Sequence, residues 1–342
     1  MQSYRRVGRT GMQISDISFG AGKLPSAGMV LRAIDRGVNY FDTAPDYGRS
    51  EEYIGQALKR FKQRDKVHIA SKFCDPGSYV RGKSHLQQGT SKADYKAAVE
   101  GSLQRLNTDY LDVVFVHAIG ERSDLGAERQ RLLDESMLAA FDELKREGKA
   151  RFLAVSSHGP NGMEDLLQTA VDSGHYDLMM PAFNFMKFPR VPEVIKAARA
   201  KDVGVIAMKT LAGARDIGLD SKGGSFEQAA FKWVLQHPEV SGLVVTMKRV
   251  RDLDDYLPAS GQALAAAEQL VAAEGLLDLL PPGGLVVAAN HAVPKAFRKR
   301  SRDVLTQGCH EVDPQGAESR GEHRDGNDDP APESQALGHD LH

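Results

Sequence analysis

The chain has 342 residues, 41% of them hydrophobic and 26% charged, the proportions of an ordinary globular protein. A formal net charge of −2 gives no global field to recruit nucleic acid or a membrane surface, and no apolar run approaches the ~20 residues of a membrane span. Two cysteines, Cys74 and Cys309, supply neither a disulfide framework nor a CxxC metal spacing, which fits a reducing cytoplasm.

Tyr4 to Gly11 and Met12 to Phe19 read as two short strands around a Gly-rich turn. The Arg5-Arg6 pair has no apolar stretch behind it, so a surface hairpin is the better reading than an export signal. Gly20-Ala21-Gly22 lacks the third glycine of a dinucleotide fingerprint, because position 25 is Pro25, and reads as the tight end of a strand. Strands and helices then alternate. Helix Met29–Asp35 precedes strand Val38–Phe41, and helix Ser50–Phe61, with Ser50 as N-cap and Glu51 and Glu52 in its first turn, precedes strand Val67–Ala70. Helix Lys92–Leu106 leads to strand Tyr110–Val116, and a long loop from Ala118 to about Gln130 to helix Arg131–Glu147. Strand Arg151–Val155, helix Asn161–Ser173, strand Tyr176–Phe183 and helix Val191–Ala200 follow. The alternation ends with strand Gly204–Met208, helix Phe226–Gln236, strand Gly242–Val245 and helix Arg251–Leu257.

With Asp16–Phe19 as the first, these are eight strands, each a short continuous apolar run of the kind found in parallel sheets covered on both faces. Eight βα units point to a (β/α)8 TIM barrel with an N-terminal β-hairpin, and strand count alone also fits an open doubly wound sheet. Residues 1–275 are assigned to the barrel and 276–342 to an irregular, largely disordered tail. Gln262 to Leu280 reads as one more helix, broken by Pro281-Pro282-Gly283-Gly284; from Glu311 onward the chain has too little apolar surface to offset its entropy.

Polar residues stand where the apolar runs stop: Asp42, Lys72, His117, Ser156, Asn184, Lys209 and Thr246. In a parallel barrel all of them lie on the C-terminal face, where ligands bind. Tyr47 follows Asp42 by five residues on a strand-to-helix loop. Asp42, Tyr47, Lys72 and His117 suit the reduction of a carbonyl. A phenol can protonate the developing alkoxide, an ammonium can lower its pKa from about 10, a carboxylate can hold the ammonium, and an imidazole can orient the carbonyl. Taken singly, each has a plain alternative as a cap, a rim aromatic, an ion-pair partner or a core histidine. Asp42 and His117 also allow a metal site, which Lys72 would oppose and no HxH or HExxH pair supports.

The stretch VNYFDTAPDYGRSEEYIGQAL, Val38 to Leu58, resembles the signature of the aldo-keto reductase family, as do IASK at Lys72 and VVFVH at His117. The resemblance extends from Tyr4 to about Gly261. It implies that Tyr47 is the proton donor, Lys72 its activator, Asp42 the partner of Lys72 and His117 the carbonyl-orienting group. It implies NADP(H) as cofactor, with NAD(H) as the alternative, and a small-molecule carbonyl substrate, with no nucleic acid or membrane partner. Ser156 and Ser157 resemble residues that hydrogen-bond the nicotinamide carboxamide, and Asn184, with Phe183, the family's aromatic-polar pair on the sixth strand, also assigned to the cofactor site; Met208, Lys209, Thr210 and Leu211 fall where the family has Tyr-Ser-Pro-Leu. Lys248, Arg249 and Arg251 match the stretch that holds the adenosine phosphate. Met208 stands in place of a stacking Tyr, Met180-Pro181 in place of a Gln, and Asp252 and Tyr256 in place of an Arg and an Asn. AFNFM and the segment from Val240 resemble a bacterial branch whose members carry a C-terminal iron–sulfur segment; Cys309 alone cannot supply one, so no cluster is expected. A barrel that binds nicotinamide without turnover, as a sensor or partner subunit, is the competing reading, and a metal-dependent hydrolase a third.

Overall fold

Short apolar runs flanked by amphipathic helices have one economical burial: a ring of parallel strands inside a ring of helices. The computed structural model describes residues 1–81, 83–185, 190–211 and 225–265, and among them this ring is closed. A hairpin of β1 (Tyr4–Arg6) and β2 (Gln13–Ser15) comes first. The barrel strands are β3 (Ile17–Gly20), β4 (Tyr40–Asp42), β5 (His68–Lys72), β6 (Leu111–Val116), β7 (Ala150–Ser157), β8 (Leu178–Pro181), β9 (Gly204–Ala207) and β10 (Gly242–Thr246). All run parallel in sequence order, and β10 closes on β3 with Leu243 opposite Ile17 and Thr246 opposite Gly20. The barrel reading is correct, and the open sheet is excluded.

Helices α1 (Ala27–Asp35), α2 (Ser50–Phe61), α3 (Lys92–Leu106), α4 (Leu125–Leu132), α5 (Glu135–Arg146), α6 (Met163–Ser173), α7 (Val191–Ala200) and α8 (Phe226–Leu235) connect the strands, and α9 (Val250–Tyr256) follows β10. Alternate strand residues divide between two cores. On β6, Val113 and Phe115 join the barrel interior, while Leu111, Val114 and Val116 pack outward under the helices.

Three expectations need correction. The hairpin is no surface ornament: Val7, Met12 and Ile14 are buried and belong to the interior cluster, so it plugs the floor of the barrel. The Arg5-Arg6 pair ties that plug down, Arg5 donating to the Val240 carbonyl and Arg6 bidentate to Asp202. The loop from Ala118 to Gln130 contains α4, begun by the Asp124 carboxylate, which accepts from the Ala127 N–H. Ser50 is not the N-cap of α2 but its first residue, buried and bonded to the Thr43 hydroxyl at 2.8 Å; the cap is Arg49. Glu51, in the first turn as expected, is buried and accepts from Ser71 and from Arg105, each at 2.6 Å. Of the helix expected over 262–280, residues 262–265 are not helical and the rest lie outside the described residues, as do the 275/276 boundary and the tail.

Two places show how tightly the rings fit. A Cβ on Gly55 of α2 would lie 2.4 Å from the Arg105 carbonyl oxygen at the end of α3. Gly55→Ala is therefore expected to destabilise by about 1–3 kcal/mol despite alanine's ~1 kcal/mol better helix propensity, measurable by urea unfolding. At the floor, Asp112 is buried among Arg64, Arg151, His68 and the Ile69 N–H. Burial alone would raise its carboxyl pKa, but the His68 hydrogen bond and the Arg64 charge win and hold it at about 2. A depressed pKa stabilises above the unfolded value and is lost on the way down. Asp112 should thus contribute about 2 kcal/mol above pH 4 that disappears between pH 4 and 2, and Asp112→Asn should flatten that part of the acid-denaturation profile.

Candidate active site

The inward-facing rows build the site. Tyr40 and Asp42, Ala70 and Lys72, Phe115 and His117, Ala154 and Ser156, and Val244 and Thr246 are pairs two residues apart, apolar below and polar above. The upper members line a cavity of about 1310 Å³ at the C-terminal mouth, together with Tyr47. That exceeds the ~300–1,000 Å³ of a typical small-ligand pocket and leaves room for two ligands side by side.

Asp42, Tyr47, Lys72 and His117 come together there. Lys72, 2% exposed, donates a short hydrogen bond to Asp42 Oδ1. Its Nζ lies 5.0 Å from the Phe115 ring centroid and 5.4 Å from that of Tyr47. The Tyr47 and His117 rings meet edge-on with centroids 5.9 Å apart. The loop after β5 clamps the backbone around Tyr47: Gly48 donates to the Gly77 carbonyl at 3.0 Å and Gly77 to that of Pro45 at 3.2 Å. Among the described residues the Tyr47 hydroxyl has no hydrogen-bond partner, which leaves it to the cavity. Two non-glycine residues take left-handed backbone at this rim, Ala118 (φ 53°) and Lys209 (φ 53°), each following a strand end that supplies the cavity. Such conformations cost about 1–3 kcal/mol and cluster at functional sites. The Ala118 turn is held by its N–H donating to Ser156 Oγ at 2.9 Å.

The electrostatics differ from expectation at one point. The Tyr47 phenol is held well above its usual pKa, by burial first and then by the charges of Asp42 and Asp46, rather than lowered by Lys72. The reason is local: the Lys72 charge is offset by the Asp42 carboxylate it touches, and burial disfavours a phenolate. Burial also raises Asp42, against the pull of Lys72, and drives His117 far below the ordinary imidazole value, so His117 is neutral at pH 7.

The other sequence candidates divide by strand parity. Ser156, Met208, Lys209, Thr210, Leu211, Lys248 and Arg249 line the cavity. Ser157 does not: one residue off the inward row, it is fully buried and donates to the Ile119 carbonyl at 2.6 Å. Asn184 is buried and donates to the Lys209 carbonyl at 3.1 Å, bracing the rim from behind. Arg251 points to solvent and pairs with Asp255. Arg249 is largely exposed but tied to Asp252, whose carboxylate also accepts from the Lys248 and Arg249 N–H groups at 2.7 and 3.0 Å.

Sequence reasoning missed Asp46, Tyr79 and His158, which also line the cavity. Asp46 sits in the same FDTAPDYG stretch, and counting alternate residues would have brought Met180 in and left Ser157 out. Tyr79 and His158 lie on loops and carry no periodic signal. Thr210 is buried, lines the cavity and has an Oγ1 with no partner among the described residues, as expected of a group that bonds a ligand. With Lys248 and Arg249 on the same wall, the residues fit a phosphate-bearing cofactor.

Residues 23–216, more than half of the chain, match the aldo/keto reductase family. The uncharacterized oxidoreductase YqkF of Bacillus subtilis is 33% identical over 196 residues, 55% of this chain and 58% of that protein, so the chain spans under two thirds of this relative. The L-galactose dehydrogenase of Arabidopsis thaliana is 25% identical over 291 residues, 75% of this chain and 87% of that one. A crystal structure described as an aldo-keto reductase from Pseudomonas aeruginosa superposes with a TM-score of 0.62 at 30% identity, covering 77% of this chain and 95% of that chain. Signature stretch, closed barrel and these likenesses agree: the chain belongs to the aldo-keto reductase family.

Proposed function

We propose that this protein reduces a small aldehyde or ketone to an alcohol, with NADP(H) as its cofactor and Tyr47 as the proton donor. The observation that carries the reading is the buried Lys72–Asp42 pair set beside Tyr47 and neutral His117 on one cavity wall. NADPH, when bound, supplies the hydride that no side chain can. Ser156, Met208, Lys209, Thr210 and Leu211 would hold its nicotinamide half, and Lys248 and Arg249 its phosphate half, by charge and fork geometry. NAD(H) is the second cofactor of choice, because Asp252 offsets part of the Arg249 charge.

The rest follows from the protein's own groups. A neutral His117 ring carries one N–H, and with Nδ1 turned toward Cys74 its Nε2 is left for the cavity. A carbonyl oxygen bonded there is polarised and aimed. Tyr47 keeps its proton at neutral pH, and an alkoxide is a far stronger base than a phenolate, so a phenol of raised pKa still delivers it. Lys72 then faces the phenolate left behind, and Asp42 keeps Lys72 fixed for that moment. By stabilising that phenolate, Lys72 makes Tyr47 a better acid than burial alone would leave it.

Two outcomes test this. Tyr47→Phe should lower kcat for NADPH-dependent reduction of a panel of small aldehydes by about 10²–10⁴. It should leave NADPH fluorescence titrations unchanged and stability within about 1 kcal/mol, because the lost hydroxyl bonds nothing in the described residues. If NADPH binds but no carbonyl is turned over, the sensor or partner-subunit reading replaces this one. Lys248→Met should raise the Kd for NADPH several-fold, about 1 kcal/mol for an exposed charge, while changing NADH little; equal effects on both would remove Lys248 from the phosphate site.

A further inference from the structure

Around His117, on the wall of the cavity, gathers a cluster whose other three members carbonyl reduction does not use. Asp46, Cys74, His85 and His117 are all buried, and one ligand atom from each lies within 4.8 Å of the others. Cys74 Sγ is 3.0 Å from His117 Nδ1, His85 Nε2 is 3.7 Å from Asp46 Oδ2, and His117 Nδ1 is 3.9 Å from the same oxygen. Among the described residues both Asp46 oxygens and His85 Nε2 are buried without a hydrogen-bond partner. Asp46 and His85 are each 2% exposed, so these are orphaned buried groups, and they converge with Cys74 and His117 on one place. Leaving a carboxylate so costs more than almost any other buried arrangement.

We infer that Asp46, Cys74, His85 and His117 form a four-ligand site for a divalent cation of the zinc type. Ligand bonds of ~2.0–2.3 Å in tetrahedral geometry put neighbouring ligand atoms roughly 3.3–3.7 Å apart, and the observed spacings of 3.0, 3.7 and 3.9 Å bracket that range. The donor set of two imidazoles, one thiolate and one carboxylate suits Zn²⁺ and is wrong for Ca²⁺ or Mg²⁺, which take oxygen. Cys74 gives up its proton to solvent on binding, so thiolate and carboxylate together neutralise the ion.

The supporting groups fit as well. His85 reaches the site through Nε2 and turns Nδ1 to Glu121 Oε2 at 3.6 Å, as metal-bound histidines do toward a carboxylate. Glu121 is held in turn by the Tyr79 hydroxyl and by His158 Nε2 at 3.1 Å. An antiparallel bridge pairs Cys74 with His85, so the loop that clamps Tyr47 also brings two ligands together. Two cations oppose the ion, Lys72 and Arg131, and each already has a carboxylate, Asp42 and Glu128. An ion on His117 Nδ1 leaves only Nε2–H for the cavity, which makes the cluster a positioning device for that ring. The site stands whether or not the chain reduces carbonyls.

The test uses the purified full-length chain, stripped with a chelator and titrated with Co²⁺ and with Zn²⁺. Expected are one ion per chain retained through gel filtration, a tetrahedral cobalt spectrum with a thiolate-to-cobalt band, and a Tm that rises with zinc. Cys74→Ser should remove the thiolate band, Cys309→Ser should not, and His85→Ala should weaken binding by at least about 100-fold. If Cys74→Ser or His85→Ala fails to fold, the wild-type cobalt spectrum with the Cys309→Ser control decides alone. No retained ion, an octahedral spectrum, or a thiolate band that survives loss of Cys74 would overturn the inference. None of these readouts involves turnover, so a failed carbonyl screen leaves it intact.

Discussion

A lysine buried to within 2% of full cover has to be paired, and the pairing of Lys72 with Asp42 is the constraint from which the rest of the mouth follows. Both residues occupy the inward row of adjacent strands, one step above Tyr40 and Ala70. They cannot be moved apart without a one-residue slip that would turn every side chain of a strand to the opposite face. The closed ring of hydrogen-bonded strands forbids that slip. The floor plug of Val7, Met12 and Ile14 and the apolar layer of Val113 and Phe115 beneath the pair keep water from reaching it from below. An ion pair held this way is a fixed electrostatic feature, and Tyr47 on the loop after β4 and His117 at the end of β6 are placed around it.

The division of labour between strands and loops explains what could be read from the residues alone. The barrel was legible because eight short apolar runs and the helices between them carry strong periodic signals, and helices such as Ser50–Phe61, Lys92–Leu106 and Val191–Ala200 begin and end where those signals do. The four residues Asp42, Tyr47, Lys72 and His117 were legible because each closes or follows a strand. Ser157 and Arg251 were misjudged because a linear motif does not say which way a side chain turns; a residue one step off the inward row faces the helix layer, whatever its neighbour does. Helix α4 was missed because Leu125 to Leu132 is polar on most sides and buries little of its own. The fate of Ser50 and Glu51 was invisible for a different reason. Their partners Thr43, Ser71 and Arg105 lie on three other segments.

The same lesson applies to charge. From residue types alone, an amine beside a phenol implies a lowered phenol pKa. In the folded chain the amine is already neutralised by Asp42, and burial and the two carboxylates that face the phenol all push its pKa up, so the direction reverses. The chemistry survives the reversal because an alkoxide is basic enough to take the proton in any case. The Asp46, Cys74, His85 and His117 cluster is a further instance: its members are scattered over three loops with no metal-ligand spacing, and only the fold brings them within 4.8 Å.

The central claim is that hydride and proton meet at one carbonyl in this mouth. It is tested most directly by running the chain with NADPH deuterated at the transferred position of the nicotinamide, across a panel of small aldehydes and ketones, and locating the label in the product. The account predicts one deuterium on the carbinol carbon of the alcohol, one NADPH consumed for each carbonyl, and a primary isotope effect in single turnover. Label released to solvent, or full retention of NADPH against every carbonyl in the panel, would contradict it.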